Sequence, residues 1–177
     1  MSARLRRRLG SALALTATAI VGGVVHANAP PGQYYPFLKT AACISDQKTL
    51  LTWIRTPITS TPSGTLALSD ATAACAQLGT AWRVPSVNEL ETLVDEVPHY
   101  ELEGGKLLPK AIDANAFFST PVGSPYWTSS LVPGGGSAWV VNFQDGTTAK
   151  TPQTTTPLPV RCVTVWASPT KPAACPL

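Results

Sequence analysis

Four cysteines, Cys43, Cys75, Cys162 and Cys175, span the chain with no C-x-x-C pair among them. The stretch ahead of them decides how they are read. Arg4, Arg6, Arg7 and Arg8 precede an uncharged run of apolar and small residues from Leu13 to Val25, followed by Val25-His26-Ala27-Asn28-Ala29. A basic segment, a short apolar segment and small residues, in that order, read as a secretory signal peptide over residues 1–29. The apolar run is shorter than the roughly 20 residues that span a bilayer. Cleavage after Ala29 fits the A-x-A form but places Pro30 next, whereas cleavage after Ala27 avoids it; an uncleaved anchor is the competing reading. In an oxidising compartment an even set of cysteines is read as two disulfides, for which spacing alone allows three connectivities. With no C-x-x-C, neither a thioredoxin-like centre nor a zinc knuckle is supported. The expected location is extracytoplasmic, with no stable membrane span after processing.

Removing the leader changes the charge argument. Four of the 13 basic residues lie in it and none of the ten acidic ones does, so the remainder carries nine basic and ten acidic groups, a net charge of −1. That weakens the case for nucleic acid or another polyanion, and no nucleic-acid partner is expected. About 150 residues remain, one domain able to bury a real core.

Residues 30–42 read as a Pro-rich lead-in and 43–166 as the domain. Leu50 to Arg55 is a strand candidate closed by Pro57, and Thr59 to Thr65 is a loop. Leu68, Ala71, Cys75 and Leu78 share one helical face, with Ser69 or a residue just before it as cap and Gly79 suited to the C-terminal stop. Ser86 and Glu89 form an S-x-x-E capping box for a second helix that should end before Pro98. Residues 95–111 read as an exposed loop containing Gly104-Gly105, and Ile112 to Phe118 as a turn or short helix with Phe117 or Phe118 buried. The last third reads as antiparallel β: Tyr126 to Leu131, Ala138 to Phe143, a turn at Asp145-Gly146, Thr147 to Lys150, and Val160 to Trp166. Two helices early and a meander late predict an α+β fold.

Several of these segments together carry a resemblance. Cys75-Ala-Gln-Leu78, then WRVPSVNELETLVD from Trp82 to Asp95, Ile112-Asp113, PYWTSS from Pro125, AWVVNFQDG from Ala138 and VRCV from Val160 resemble the domain at the C-terminus of the Legionella collagen-like adhesin, Lcl, over about Cys43 to Val163. The resemblance implies a C-type-lectin-like α+β fold with two short helices packed on a small antiparallel sheet, loop-rich and disulfide-bonded. It implies a bridge from Cys75 to Cys162, leaving Cys43 for Cys175 and so tying down the tail 167–177. In the adhesin the domain binds sulfated glycosaminoglycans. This chain lacks the collagen-like Gly-X-Y tract, a basic surface and the Glu-Pro-Asn or Gln-Pro-Asp triplets of calcium-dependent lectins.

The expected function is therefore an exported lectin-like module that binds an extracellular or envelope glycan, with a structural or protein-interaction module of the envelope as the alternative. Trp82, Trp127 and Trp139 offer ring faces to a sugar, against a core role. Tyr126 alternates with Trp127, so one of the two should face outward, and Tyr126 is the better surface candidate. Arg83 and Arg161 sit in apolar strands and suit an anionic ligand, against pairing with a carboxylate such as Glu89 or Asp113. Glu89, Glu91, Asp95, Glu96, Glu101 and Glu103 concentrate acid without EF-hand spacing, so a solvated helix face and loop outweighs a calcium site. No catalytic residue, metal site or cofactor is assigned. His26 lies at the leader, which leaves His99, and there is no G-x-S-x-G. The reactive cysteines of formylglycine-generating enzymes, which share the lectin-like fold, would here be bridged. A hydrolase using Glu89 or Asp113 stays a distant alternative.

Overall fold

The structure, a computed structural model, describes residues 29–36, 42–59, 66–154 and 156–165 together with Cys175. Residues 1–28 of the leader, 37–41 of the lead-in, most of the Thr59 to Thr65 loop, Trp166 and the tail other than Cys175 lie outside the described residues.

The two ends of the domain meet in one sheet. Strands β1 (Tyr34–Pro36), β2 (Cys43–Asp46), β3 (Leu51–Ile54) and β9 (Val163–Val165) pair antiparallel in the order β1-β2-β3-β9. Helix α1 (Leu68–Gln77) buries Leu68, Ala71, Ala74 and Cys75, the stripe read from the sequence. Its start at Leu68 is the one read from the sequence, but the cap is Ala67 rather than Ser69, and alanine has no side-chain acceptor to make a cap bond. Helix α2 (Val87–Glu91) carries the full capping box, with the Glu89 amide donating to Ser86 Oγ at 3.2 Å and the Ser86 amide donating to Glu89 Oε2 at 2.8 Å.

The segment expected as a loop over 95–111 is instead a hairpin, β4 (His99–Glu103) and β5 (Lys106–Lys110), turning at Gly104 and Gly105. Both glycines have positive φ, 59° and 78°, which a two-residue hairpin turn of this kind needs. A third sheet follows as a meander, β6 (Tyr126–Leu131), β7 (Ser137–Val141) and β8 (Thr148–Pro152). Gly146 closes β7 onto β8 at φ 74°, and a Cβ there would meet Val94 Cγ1 at 2.7 Å, so the turn requires glycine on both counts. The fold is α+β, with three antiparallel sheets of four, two and three strands among the described residues rather than one small sheet.

Two apolar clusters fill the interior. One gathers α1, Trp82, Trp127, Ala138, Val140 and Cys162; the other gathers Trp53, Leu90, Leu93, Phe117, Tyr126, Val141 and Phe143. The β6-β7 pair lies between them, so neighbouring residues on one strand serve opposite cores. That is why Tyr126 and Trp127 are both fully buried although only one was expected to be. A strand covered on both faces reads as continuous apolar sequence, and alternation then says nothing about solvent. Disulfides join Cys75 to Cys162 and Cys43 to Cys175, the pairing the resemblance implies. The first ties α1 to the chain just before β9, and the second ties β2 to the tail. No helix among the described residues is long and apolar enough to cross a membrane.

Candidate functional site

The aromatic and basic residues singled out from sequence are mostly interior. Trp127 donates its indole N–H to the Leu66 carbonyl at 2.6 Å, and the Tyr126 hydroxyl donates to the Pro121 carbonyl at 3.0 Å. Neither ring has a face open to a ligand. Trp82 is 5% exposed, whereas Trp139 is partly exposed and has the Lys150 ammonium 5.1 Å from its ring centroid.

The two arginines part company. Arg83 is exposed and forms a two-point pair with Glu89, at 2.8 and 2.6 Å. That pair, helped by the Ser86 bonds and opposed by burial, holds the Glu89 carboxyl down to about 2. Arg161 is fully buried and has no carboxylate partner among the described residues, contrary to expectation. Its guanidinium donates to the carbonyls of Ile54 and Arg55 and to Thr120 Oγ1, and stands 4.9 Å from the Phe117 ring. Burial lowers its pKa to about 10, but it stays charged at neutral pH. Arg161 therefore clamps β3 to the 112–121 segment and is not available to an anionic ligand.

Two features at the surface were not read from sequence. The first is the hairpin. Its register pairs Tyr100 with Pro109 and Leu102 with Leu107 on one face, and His99 with Lys110 and Glu103 with Lys106 on the other. The apolar face looks to solvent: Tyr100, Leu102 and Leu107 are 65%, 75% and 65% exposed. The charged face looks toward the body of the domain, where Lys110 is buried and bonds Glu101 at 2.7 Å and Glu103 at 3.3 Å, and His99 bonds Glu101 at 3.2 Å. Burial alone would lower the pKa of Lys110, but its bonds to the two glutamates outweigh that and hold it above its usual value. The alternation of Tyr100 and Leu102 around Gly104-Gly105 was the available signal, since apolar alternation flanking Gly-Gly marks a hairpin.

The second feature is an open cleft of about 250 Å³ lined by Asp95, His99, Asp113, Ala114 and Asn115. The end of the α2 segment brings Asp95, the base of β4 brings His99, and the turn after β5 brings Asp113. The Asp95 amide donates to the Ala111 carbonyl at 3.0 Å, which fixes the backbone, and only 8% of the residue is exposed. This departs from the solvated acid expected there. Burial first, and then the Asp113 charge, push the Asp95 carboxyl up to about 6, with His99 opposing. Asp113 Oδ1 accepts from the amides of Asn115 and Ala116 at 2.8 and 3.1 Å, an Asx turn that orients it. Among the described residues no group of three His, Cys, Asp or Glu side chains is placed to hold a metal ion.

The model of the Lcl C-terminal domain family matches residues 42–164, and the chain belongs to that family. No curated protein and no solved structure matches it.

Proposed function

We propose that the chain is an exported binding module of the cell envelope, built on a C-type-lectin-like frame, which docks a protein partner against the solvent-facing side of the β4–β5 hairpin. Family membership and the two disulfides support an extracellular setting, and the leader read from the sequence supports export. The observation that carries the docking surface is the inverted polarity of the hairpin. A free-standing hairpin ordinarily turns its apolar side inward, and contiguous exposed apolar side chains mark an interaction surface. On this face the leucine and proline side chains offer no hydrogen bond to sugar hydroxyls, and Tyr100 alone suits a sugar. Neither outer edge of the hairpin is paired to another described strand, so its backbone is open to an extended segment of a partner. In this reading the chain is not an enzyme and uses no cofactor.

The test is cross-linking of the exported protein in its own envelope, with Leu102→Ser/Leu107→Ser beside the native sequence. A specific protein adduct lost in the variant, with unchanged folding, is the expected result. Native-like adducts in the variant would remove the hairpin from the function.

Glycan recognition is the second reading, and the polar cleft favours it, because Asp113 and Asn115 present oxygens suited to hydroxyl donors. A glycan array positive for the native protein and for the hairpin variant alike would move the function from the hairpin to the cleft.

A further inference from the structure

The geometry points to the cleft between Asp95, His99 and Asp113 as a binding site for a primary ammonium group, carried by an alkylamine or an amino sugar. The inference stands independently of the hairpin reading and names the ligand chemistry of the cleft.

Asp95 is the observation that points to a ligand, its carboxylate opening on the cleft rather than sealed in the core. It is more than nine-tenths buried, it lines the cleft, and its carboxylate receives no hydrogen bond and no ion pair from the described residues. Buried carboxylates are ordinarily paired or hydrogen-bonded, since an unpaired buried charge is costly. Asp113 stands in the same cleft with one oxygen held by its Asx turn and Oδ2 without a protein donor among the described residues. Of the cations nearby, Lys48 stands on a wall of the adjoining groove and bonds neither carboxylate, and the other two are engaged elsewhere. His99 bonds Glu101, and Arg55 is held by the carbonyls of Ala116 at 2.7 Å and Asn115 at 2.5 Å. The cleft therefore presents two carboxylates with no cation of the protein bound to either.

A neutral hydroxyl would satisfy a lone pair and leave the charge. An ammonium supplies three donors and the opposite charge together, and charge-assisted bonds are the stronger kind. A metal ion would need more ligands than these side chains place together. Asp95 also lines an adjoining groove of about 400 Å³, with Pro30, Tyr34, Lys48, Val94 and Glu96 on its walls. Its apolar walls at Tyr34, Pro30 and Val94 give the carbon body of an amine a place to lie, while the ammonium reaches the carboxylates.

The experiment titrates the full, disulfide-bonded exported protein by two-dimensional NMR at about pH 7 and low salt, with butylamine against 1-butanol and glucosamine against N-acetylglucosamine. The expected result is saturable amide shifts confined to residues around 95, 99 and 113–115 for one or both amines. Their neutral counterparts should give none, and affinity should fall about tenfold or more in Asp95→Asn and in Asp113→Asn. Which amine binds more tightly distinguishes an alkylammonium from an amino sugar. The proposal is overturned if a neutral counterpart binds as well as its amine, if Asp95→Asn binds unchanged, or if neither amine perturbs these residues. The spectrum of each variant reports its own folding, so a variant that failed to fold would be replaced by Asp95→Ser, judged by the same outcomes.

Discussion

The β2–β3 pair and the β4–β5 pair are both short antiparallel hairpins, yet they treat side chains in opposite ways. Every residue of β2 and β3 is buried, including Asp46, which caps its own turn by accepting from the Lys48 amide and the Thr49 hydroxyl, both at 2.8 Å. In β4 and β5 only Lys110 is buried, and Tyr100, Leu102 and Leu107 face out. The first pair lies between cores and is joined to β9. The second is tied to the body through Leu108, Lys110 and the Ala111 amide, which donates to the Phe143 carbonyl at 2.7 Å. The contrast teaches that stability here sits in the disulfide-framed strands, while the hairpin and the cleft at its base carry side chains whose placement lowers stability or leaves it unchanged. Substitutions in the two regions should therefore behave differently.

The largest effect should come from the framed region. Replacing both Cys75 and Cys162 by Ser opens the bridge that closes a span of 87 residues, and should cost about 4 kcal/mol of unfolding free energy in the chain-entropy view. Denaturant titration under non-reducing conditions measures it, and a loss under about 1 kcal/mol would mean that packing alone holds α1 to the β9 end.

Next is Arg161→Met. Removing the guanidinium leaves the Ile54 and Arg55 carbonyls short of a donor inside the core, for a loss of about 2–3 kcal/mol. A neutral or stabilising result would show that the uncompensated buried charge outweighs its bonds, as hydrophobic replacement of buried ions can do.

At the cleft the sign reverses. Asp95 titrates at about 6 in the folded protein, above the ordinary aspartate value, so the native state binds the proton more tightly than the unfolded chain. Its contribution is fully present below about pH 4 and is lost as pH rises through about 6. Asp95→Asn should therefore raise stability at pH 7.5 by about 1–2 kcal/mol and leave it nearly unchanged at pH 4. Equal effects at the two pH values would show that the charge at Asp95 is not what the fold works against.

The smallest effect belongs to the hairpin face. Leu102→Ser/Leu107→Ser should shift stability by no more than about 0.5 kcal/mol, as exposed substitutions usually do. A loss above about 2 kcal/mol would show that the two leucines pack within the chain, and the contrast between the hairpins would fail.

The parts legible in sequence were those written by local rules. The capping box at Ser86 and Glu89, the stripe through Leu68, Ala71 and Cys75 and the turn at Asp145-Gly146 each depend on a few neighbouring residues, and each is present. The candidate site was much less legible. Tyr126, Trp127 and Arg161 drew attention because of their chemistry, but they lie where two cores meet. Conversely, Asp95 read as one solvated acid among six.

The sequence alone determined the α+β class, the apolar stripe of α1, the capping box that starts α2, the family and an even cysteine set, because periodicity, caps and ordered motifs act over short spans. Only the tertiary structure decided which faces meet water. It covered both sides of β6, turned Leu102 and Leu107 of the hairpin outward, and brought Asp95 and Asp113, 18 positions apart, into one cleft. Burial depends on what packs against a residue from elsewhere in the chain, and no local pattern carries that information.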